Sequence, residues 1–321
     1  MVKPRVFITR RLPDEILARL DSTKYILDIW PGQRPPDKSV LIDRIADCDG
    51  LLCLLTDPVD AEVIAAAPKL RVISQMAVGV DNIDLSACAA RGIPVGHTPG
   101  VLTEATADLT LALMLATCRR LLEAADDVRA GKWQTWEPFG WAGADLFRAK
   151  VGIVGMGRIG LAVTKRLRGF EAEVIYCGRR DNPEANALGA RRVELDELLS
   201  EAEIISIHVP LTAETESLID TAALKKMRKD AILINTARGK VVDQAALLDA
   251  LKRQEIAAAG LDVTEPEPLA RDHELLSLPN VIVLPHIGSA SRKTRLKMAE
   301  IAVDNLIAGL AGKPLLFTRA T

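Results

Sequence analysis

The sequence predicts an α/β fold made of two doubly wound domains, each built on a parallel sheet with helices on both faces. Strand-like and helix-like segments alternate along almost the whole chain, which is typical of parallel sheets covered by helices. The length of 321 residues corresponds to about two domains at ~150 residues per domain. Apolar residues make up 49% of the chain and charged residues 26%, a balance that supports packed cores rather than disorder.

The first alternating series occupies about the first third of the chain. Short runs of β-branched or aliphatic residues form its predicted strands, and segments with helical spacing lie between them. The predicted strands are 6–9, 50–55, 71–76 and 93–95, and the predicted helices are 14–20, 40–46, 61–67 and 85–91.

A long amphipathic segment follows this series and is predicted to form one helix over residues 103–130. Such a helix could connect the first domain to the second. The loop after it, at about 131–147, contains three of the four tryptophans of the chain, namely Trp133, Trp136 and Trp141.

The second alternating series is longer, and six strands with interleaved helices are the size of a complete dinucleotide-binding domain. A final amphipathic segment, 290–310, is predicted to be a helix that returns to the first domain. We therefore expect domains at 1–101 and 102–287, with 288–321 completing the first. The predicted strands of this series are 151–154, 173–176, 204–207, 231–235, 257–262 and 281–284, with helices such as 158–168 and 243–253.

A glycine motif of the form G-x-G-x-x-G directly follows the first strand of the second series and opens a helix. Its first glycine permits a tight turn, its second lets the backbone approach a pyrophosphate, and its third allows close packing of helix on strand. The helix N-terminus offers N–H groups and a positive dipole end to that anion. This context predicts a dinucleotide site, with a ligand-free glycine turn as the alternative. The motif consists of Gly155, Met156, Gly157, Arg158, Ile159 and Gly160.

The end of the next strand indicates which dinucleotide binds. An NAD site usually has Asp or Glu there, which binds the ribose 2′-hydroxyl, but this chain has Cys177 followed by Gly178, Arg179 and Arg180. Without a carboxylate a 2′-phosphate is not repelled, and two guanidiniums can form charge-assisted hydrogen bonds with it. We therefore predict NADPH as the cofactor, with NADH as a weaker substitute. A solvated pair of surface arginines is the alternative.

Three residues with catalytic potential, Arg238, Glu267 and His286, each follow a predicted strand of the second domain. In an open doubly wound sheet, ligands bind beyond the carboxyl ends of the strands, so the three side chains can converge there. Carbonyl reduction needs a proton donor, a partner for that donor and a cation for the charge of the substrate. These residues supply all three. The other histidines, which are His97, His208 and His273, are expected to be structural or solvated.

Charge and cysteine usage exclude several other classes of protein. A net charge of −2 gives no indication of binding to nucleic acid or an anionic membrane. The five cysteines form no C-x-x-C pair, and no histidine clusters with them in the sequence. We therefore expect neither a metal site nor a disulfide framework. The longest apolar run, near 109–118, is too short to span a bilayer, and the N-terminus has no signal-peptide core. We therefore expect a cytoplasmic protein.

Taken together, these motifs resemble the D-2-hydroxyacid dehydrogenase family over essentially the whole chain. Within that family the sequence is most similar to the glyoxylate/hydroxypyruvate reductases of the NADPH-using type. The resemblance implies a Rossmann dinucleotide-binding domain inserted into a smaller flavodoxin-like substrate domain, and a homodimer. The family motifs lie at 155–160, 235–243, 260–269 and 285–290, and the reductase-like segments at 50–55, 78–81, 117–121, 176–179 and 262–264.

The resemblance also implies a role for each matching residue. Arg238 would bind the substrate carboxylate and polarise its carbonyl, and His286 would donate the proton while Glu267 orients it. The backbone N–H groups of Val78 and Gly79 would hold the carboxylate from the smaller domain. The remaining implied contacts are Ser289 with the substrate and Gly178, Pro210, Thr236, Asp262 and Gly288 with the cofactor, Asp262 at its nicotinamide end.

The implied reaction is reduction of glyoxylate to glycolate, or of hydroxypyruvate to D-glycerate, by hydride transfer from NADPH. Alternative substrates are another small 2-hydroxy acid, phosphite or formate, but Glu267 argues against formate because its oxidation transfers no proton. A dinucleotide-sensing corepressor is the alternative from another class, and the missing acidic NAD marker argues against it. We expect closure of the two domains on the substrate by rotation near Thr103 and Ser289. The tryptophan loop would reach a partner subunit or pack internally.

Overall fold

The computed structural model describes residues 3–319, and these form two compact units. The first unit contains the chain up to Leu102 and again from Ser291 onward, and the second contains Thr103–Ala290. The predicted boundaries, at 101/102 and 287/288, lie one and three residues earlier than these. Each unit has its own sheet, which is entirely or mostly parallel, so the predicted fold class of two α/β domains is confirmed.

A six-stranded sheet forms the centre of the first unit, and five of its strands come before the second unit in sequence. These five strands pair in parallel. The central strand at Gly50–Cys53 is buried along its whole length, as expected where helices cover both faces of a parallel sheet. The elements are β1 (Arg5–Ile8), α1 (Asp14–Leu17), β2 (Ile26–Ile29), α2 (Lys38–Ile45), β3 (Gly50–Cys53), α3 (Ala61–Ala65), β4 (Val72–Gln75), α4 (Leu85–Ala90) and β5 (Val95–Gly96).

The second unit begins with two helices and continues as a seven-stranded, fully parallel sheet. Helix α5 packs on this sheet near the strand at Ala258–Leu261, where a Cβ on Gly260 would lie 2.6 Å from Oγ1 of Thr117. The elements are α5 (Thr103–Cys118), α6 (Leu121–Arg129), β6 (Lys150–Val154), α7 (Arg158–Leu167), β7 (Glu173–Cys177), α8 (Pro183–Ala187), β8 (Arg191–Arg192), α9 (Leu195–Glu201), β9 (Ile204–Ile207), α10 (Thr221–Lys226), β10 (Ile232–Asn235), α11 (Gln244–Lys252), β11 (Ala258–Leu261) and β12 (Val281–Val283).

The prediction of one continuous helix over 103–130 is wrong. Helix α5 ends at Cys118, and Arg120 has φ 52°, a left-handed conformation that cannot continue an α-helix. The carbonyl of Cys118 accepts a hydrogen bond from the N–H of Ala144, and a Cβ on Gly143 would lie 2.0 Å from that oxygen. The loop at 143–144 therefore caps the end of α5, and α6 begins in a new direction.

The chain returns to the first unit through α12 (Arg292–Leu310) and β13 (Thr318–Arg319). Ser291 caps α12 by accepting a hydrogen bond from the N–H of Thr294. The hydroxyl of Ser74, on β4, donates to the carbonyl of Ala302, which fixes α12 against the sheet. Strand β13 then pairs antiparallel with β5, so the sheet order is β13-β5-β4-β3-β1-β2.

Three strands were not predicted, namely β2, β8 and β13. All three lie at the edge of a sheet. Strands β8 and β13 are two residues long and exposed, with the sequences Arg191-Arg192 and Thr318-Arg319. Short polar edge strands have no alternating hydrophobic pattern, so hydrophobic periodicity alone cannot predict them.

Candidate active site

Most of the predicted site residues lie in loops at the carboxyl ends of the strands of the second unit. The strand order there is β12-β11-β10-β9-β6-β7-β8. Strand β6 lies between β7 and β9, so the chain proceeds to one side of β6 first and then to the other. At such a switch point the loops that leave neighbouring strands diverge and open a crevice for a ligand.

The glycine loop between β6 and α7 has the backbone geometry of a phosphate cradle. Gly155 has φ +100°, and a Cβ there would lie 2.8 Å from the carbonyl carbon of His208. A Cβ on Gly160 would lie 2.3 Å from the carbonyl oxygen of Gly155. A Cβ on Gly157 would meet no described atom within 4 Å. Gly157 therefore faces open space at the N-terminus of α7, where the first N–H groups have no partner within the helix.

The loop after β7 lies directly beside the glycine loop. A Cβ on Gly178 would lie 3.7 Å from the backbone nitrogen of Met156, and Nδ2 of Asn182 donates to the carbonyl of Met156 at 3.0 Å. Arg179 and Arg180 are both exposed. Among residues 3–319, neither guanidinium has a hydrogen bond or an ion pair. Both guanidiniums are therefore exposed at this edge of the sheet. A hydrogen bond with Thr212 lowers the pKa of the nearby Glu214, and Arg179 contributes to that lowering without forming an ion pair with Glu214.

A close backbone contact holds the loop that carries Arg238. The next residue, Gly239, lies so near the backbone of Thr264 that a Cβ would be 2.0 Å from the carbonyl oxygen of Thr264. Asn235, at the end of β10, donates through Nδ2 to the carbonyl of Arg238 at 2.9 Å. Nη1 of the half-buried Arg238 donates to the carbonyl of Ala237 at 2.8 Å. The loop after β10 is thus packed against the loop after β11, which carries Glu267.

His286 and Glu267 form a hydrogen-bonded pair. Nδ1 of His286 lies 2.9 Å from Oε2 of Glu267, and the two side chains are 24% and 29% exposed. The other carboxylate oxygen of Glu267 accepts a hydrogen bond from the N–H of Thr264 at 3.1 Å. Because Nδ1 is engaged, Nε2 is the ring nitrogen that His286 can offer to a reacting group.

Asp262, at the end of β11, holds the backbone turn that presents His286. This carboxylate is buried, with 1% exposure, and accepts hydrogen bonds from the N–H groups of Ile287 and Gly288, both at 2.7 Å. The carbonyl of Asp262 accepts the N–H of His286 at 2.9 Å. Burial raises the pKa of Asp262, and the two backbone hydrogen bonds oppose that rise. His286 has φ 53°, a strained conformation for a non-glycine residue, and these three bonds fix it.

A comparison with known families agrees with this geometry. The family model for the D-isomer specific 2-hydroxyacid dehydrogenase, NAD binding domain, matches residues 111–288. The chain belongs to the D-isomer specific 2-hydroxyacid dehydrogenase family. The resemblance seen in the sequence is therefore confirmed, and the chain is an NAD(P)-dependent oxidoreductase.

Known relatives match the dehydrogenase over nearly its whole length. A glyoxylate reductase of Korarchaeum cryptofilum is 50% identical over 315 residues, which cover 97% of this chain and 94% of that protein. A crystal structure of a Thermus thermophilus protein has a TM-score of 0.92 at 47% identity, covering 98% of this chain and 100% of that chain. An NADPH-dependent glyoxylate/hydroxypyruvate reductase of Sinorhizobium meliloti, solved with NADP and malonate, has a TM-score of 0.86 at 33% identity, covering 99% and 97%.

A second histidine of this dehydrogenase, His208, directly follows β9 in the second unit. Its N–H donates to the carbonyl of Val154 at 2.7 Å, and Nε2 lies 2.9 Å from the hydroxyl of Ser206. Burial lowers the pKa of His208 to about 3, so its imidazole is neutral at ordinary pH. A neutral imidazole is a poor proton donor, so His208 is not suited to that role.

The remaining predicted residues lie in varied surroundings. Thr236 is buried, and its hydroxyl lies 3.0 Å from that of Thr110 on α5. Pro210 is exposed, and its carbonyl accepts the hydroxyl of Thr215 at 2.6 Å. The other positions are Met156 and Ile159, both half-buried, Arg158, which is exposed, Gly288, which is buried, and Ser289, which is half-buried.

Val78 and Gly79 belong to the first unit, in the loop after β4. The carbonyl of Val78 lies 3.0 Å from Nδ1 of His97, and the carbonyl of Gly79 accepts a hydrogen bond from Nε2 of Gln75 at 3.4 Å. His97 therefore contacts the loop that was predicted to bind the substrate carboxylate.

Sequence reasoning did not single out Asn182 or Thr110, and it included Gly239 only as a member of the family motif at 235–243. Asn182 caps α8 by accepting the N–H of Ala185 and also binds the glycine loop. The dipeptide Asn182-Pro183 is a recognisable helix-start signal that could have identified it. No local pattern could have identified Gly239 or Thr110, because each acts through a contact with a distant segment.

The tryptophan loop and the helix before it expose a large apolar area. Trp136 and Trp133 are 78% and 67% exposed, and the guanidinium of Arg120 lies over the ring of Trp141 at 4.7 Å. Helix α6 has no buried residue. Within the described chain, internal packing does not account for Trp133 and Trp136.

Residues 3–319 contain neither a membrane-spanning helix nor a cluster of metal ligands. None of their helices combines the length and the apolar character that crossing a membrane requires. The same residues contain no group of three or more His, Cys, Asp or Glu side chains arranged to hold a metal ion.

Proposed function

We propose that this dehydrogenase reduces glyoxylate to glycolate and hydroxypyruvate to D-glycerate with NADPH, and that His286 donates the proton. The observation that carries the proposal is the 2.9 Å contact between Nδ1 of His286 and Oε2 of Glu267, at the same sheet edge as Arg238 and the glycine loop. An imidazole held by a carboxylate, with a guanidinium on the neighbouring strand, is suited to a substrate that carries both a carbonyl and a carboxylate.

The residues around the glycine loop fit a dinucleotide. The open space at Gly157 admits a pyrophosphate close to the backbone, and the N-terminus of α7 offers N–H groups to it. Arg179 and Arg180 would bind a 2′-phosphate, since no acidic residue ends β7. When bound, NADPH would supply the hydride for the carbonyl carbon. Further proposed contacts with the cofactor are Met156, Arg158, Ile159, Gly178, Pro210, Thr236, Asp262 and Gly288.

Each catalytic residue has one task in this proposal. Protonated His286 transfers the proton from Nε2 to the carbonyl oxygen as that oxygen gains negative charge. Glu267 holds Nδ1, which orients the ring and directs Nε2 to the substrate. Arg238 pairs with the substrate carboxylate and polarises the carbonyl. The N–H groups of Val78 and Gly79 and the side chain of Ser289 are proposed to bind the same substrate.

The relatives support the substrate and the cofactor. The Korarchaeum protein is described as a glyoxylate reductase, and the Sinorhizobium protein as an NADPH-dependent glyoxylate/hydroxypyruvate reductase. Hydroxypyruvate carries a hydroxymethyl group where glyoxylate has hydrogen. An apolar pocket discriminates by only about 1–3 kcal/mol per methylene and rejects an added hydroxyl only weakly. We therefore propose that one site accepts both keto acids.

We also propose that the enzyme is a cytoplasmic homodimer. The exposed apolar surface of α6 and of the loop that carries Trp133 and Trp136 supports an interface at this place. Burying such a surface against a second copy would remove a large apolar area from water.

A steady-state assay tests the proposed function. NADPH oxidation is followed with glyoxylate, hydroxypyruvate and pyruvate, and each is repeated with NADH. We expect turnover with the first two keto acids and a higher kcat/KM with NADPH than with NADH. Turnover of a different small keto acid, or of phosphite with NADP, would replace the substrate assignment. Absence of turnover together with specific peptide binding would favour a dinucleotide-sensing corepressor.

A further inference from the structure

The segment between β7 and α8 contains one acidic residue, Asp181, directly after the two exposed arginines. A carboxylate at this edge of the sheet would repel a 2′-phosphate, and it could accept a hydrogen bond from the 2′-hydroxyl of NAD instead. The position of its side chain therefore bears on the choice of cofactor.

Hydrogen bonds engage both carboxylate oxygens of Asp181. Oδ1 accepts from the hydroxyl of Tyr176 at 2.8 Å and from Nδ2 of Asn186 at 3.0 Å, and Oδ2 accepts from Nδ2 of Asn186 at 2.8 Å. Oδ1 of Asn186 lies 2.9 Å from the same hydroxyl and shares its single proton. The bonds from Asn186, and then from Tyr176, lower the pKa of Asp181. The carboxylate is thus ionised and drawn towards α8, the helix that carries Asn186.

Tyr176 anchors this arrangement in the core. Its side chain is fully buried on β7, and its hydroxyl also accepts a hydrogen bond from the N–H of Asn182 at 3.0 Å. Asn182 in turn binds the carbonyl of Met156 in the glycine loop. Burial raises the pKa of Tyr176, so the hydroxyl keeps the proton that it donates. The end of the segment at Asn182 is therefore tied both to the core and to the glycine loop.

A neighbouring cation holds the start of the same segment. Nε and Nη2 of Arg192, on β8, donate to the carbonyl of Gly178 at 3.2 and 2.9 Å. With Gly178 and Asp181 both held, the two residues between them are Arg179 and Arg180. These are the residues of the segment whose side chains remain available to a ligand.

We propose that Tyr176 and Asn186 are positioning residues for cofactor choice, which hold the carboxylate of Asp181 away from the nucleotide. The segment then presents two guanidiniums and no acid to a 2′-phosphate. This inference rests on the proposed preference for NADPH and deepens it, because it adds the device that stops Asp181 from opposing the arginines.

Binding of two small nucleotides to the cofactor-free protein tests the inference. Adenosine 2′,5′-bisphosphate and 5′-AMP differ only in the 2′-phosphate, and calorimetry at low salt measures both dissociation constants. Asn186→Ala removes two of the three side-chain hydrogen bonds to Asp181 and leaves the one from Tyr176. We expect it to weaken binding of the bisphosphate by about threefold to tenfold, as a nearby like charge would in a solvated site. Binding of 5′-AMP should not change.

The matched control removes the negative charge of Asp181. Asp181→Asn in the Asn186→Ala background should restore binding of the bisphosphate, and the same change in the wild type should have little effect. Equal weakening for both nucleotides, or no rescue in the double variant, would overturn the inference. Asn186 is exposed on a five-residue helix, so its replacement by alanine is expected to keep the fold.

A variant of Tyr176 and the wild type itself supply two further measurements. Tyr176→Phe removes the other hydrogen bond to Asp181 and should shift the same ratio in the same direction; an unchanged ratio would count against the inference. A wild type that binds 5′-AMP as tightly as the bisphosphate would reject the proposed NADPH preference. If the wild type prefers the bisphosphate but Asp181→Asn does not restore its binding in the Asn186→Ala background, only the role of Tyr176 and Asn186 is rejected.

Discussion

Oε2 of Glu267 lies 2.9 Å from Nδ1 of His286, although the two residues are 19 positions apart in the chain. They follow β11 and β12, which are neighbours in the parallel sheet, so the pairing of the strands brings the two loops together. The contact gives His286 a fixed orientation and leaves Nε2 for the substrate. A group with these properties is suited to proton transfer in both directions of a reversible reaction.

Replacing His286 by asparagine should remove the proton donor while retaining the shape of the turn. We expect kcat for glyoxylate reduction to fall by about 10²–10⁴, the usual contribution of general acid catalysis. Binding of NADPH, measured by the change in its fluorescence, should not change. A variant that keeps the rate of the wild type would show that another group donates the proton.

The pH dependence of the rate should depend on His286, the proposed proton donor. Reduction consumes a proton, so kcat/KM for glyoxylate should fall as pH rises, while kcat/KM for oxidation of glycolate should rise. Burial lowers the pKa of His208 to about 3, so His208 should not contribute between pH 5 and 9, roughly the range where histidines usually titrate. The profile should flatten in His286→Asn; a profile with an unchanged slope would contradict the assignment.

Two glycines of the same loop should respond differently to alanine. A Cβ on Gly157 meets no described atom within 4 Å, so Gly157→Ala should fold with an unchanged Tm but bind NADPH more weakly, because the methyl group occupies space needed by the pyrophosphate. A Cβ on Gly160 would lie 2.3 Å from a backbone oxygen, so Gly160→Ala should lower Tm. Thermal melting and a binding titration separate the effects, and a destabilised Gly157→Ala would contradict the first expectation.

Replacing both Arg179 and Arg180 by alanine should affect NADPH specifically. Charge-assisted hydrogen bonds contribute about 1.5–3 kcal/mol each, and solvent reduces that at exposed positions, so we expect kcat/KM for NADPH to fall by about tenfold to hundredfold. The value for NADH should change little. Arg253→Ala, at an exposed arginine directly after α11, is the matched control and should leave both values unchanged. An equal loss of kcat/KM for both cofactors would show that the arginines do not bind the 2′-phosphate.

Asp262→Asn should weaken the turn that presents His286. The amide of asparagine would set an N–H donor against the N–H of Ile287 or of Gly288, and a buried donor without an acceptor costs about 1–3 kcal/mol. Both Tm and kcat should fall. Asp220→Asn is the control, because Asp220 caps α10 and asparagine caps a helix equally well. A loss of Tm with an unchanged kcat would show that the turn does not control the proton donor.

The sequence alone predicts the fold class and most of the second sheet, because buried parallel strands read as continuous apolar runs. It fails where the determining contact is remote in the chain. The break at Arg120 depends on the loop at 143–144, which donates a hydrogen bond to the carbonyl of Cys118. The hydrophobic periodicity within 103–130 cannot predict that contact.

In the candidate site, too, the sequence predicts residues that follow a strand and misses contacts between distant segments. Arg238, Glu267 and His286 could be identified because each follows a recognisable strand. Gly239 and the hydrogen bonds of Asp262 could not be foreseen, since they depend on how three loops pack against one another. Asp181 is a further case, because its sequence position beside two arginines does not reveal that Tyr176 and Asn186 hold its carboxylate.

The most direct test of the account compares wild type and His286→Asn in the reduction of glyoxylate at saturating NADPH. We predict ready turnover by the wild type and a loss of about 10²–10⁴ in kcat for the variant, with the affinity for NADPH unchanged. A wild type that reduces no 2-keto acid, or a variant as fast as the wild type, would contradict the account.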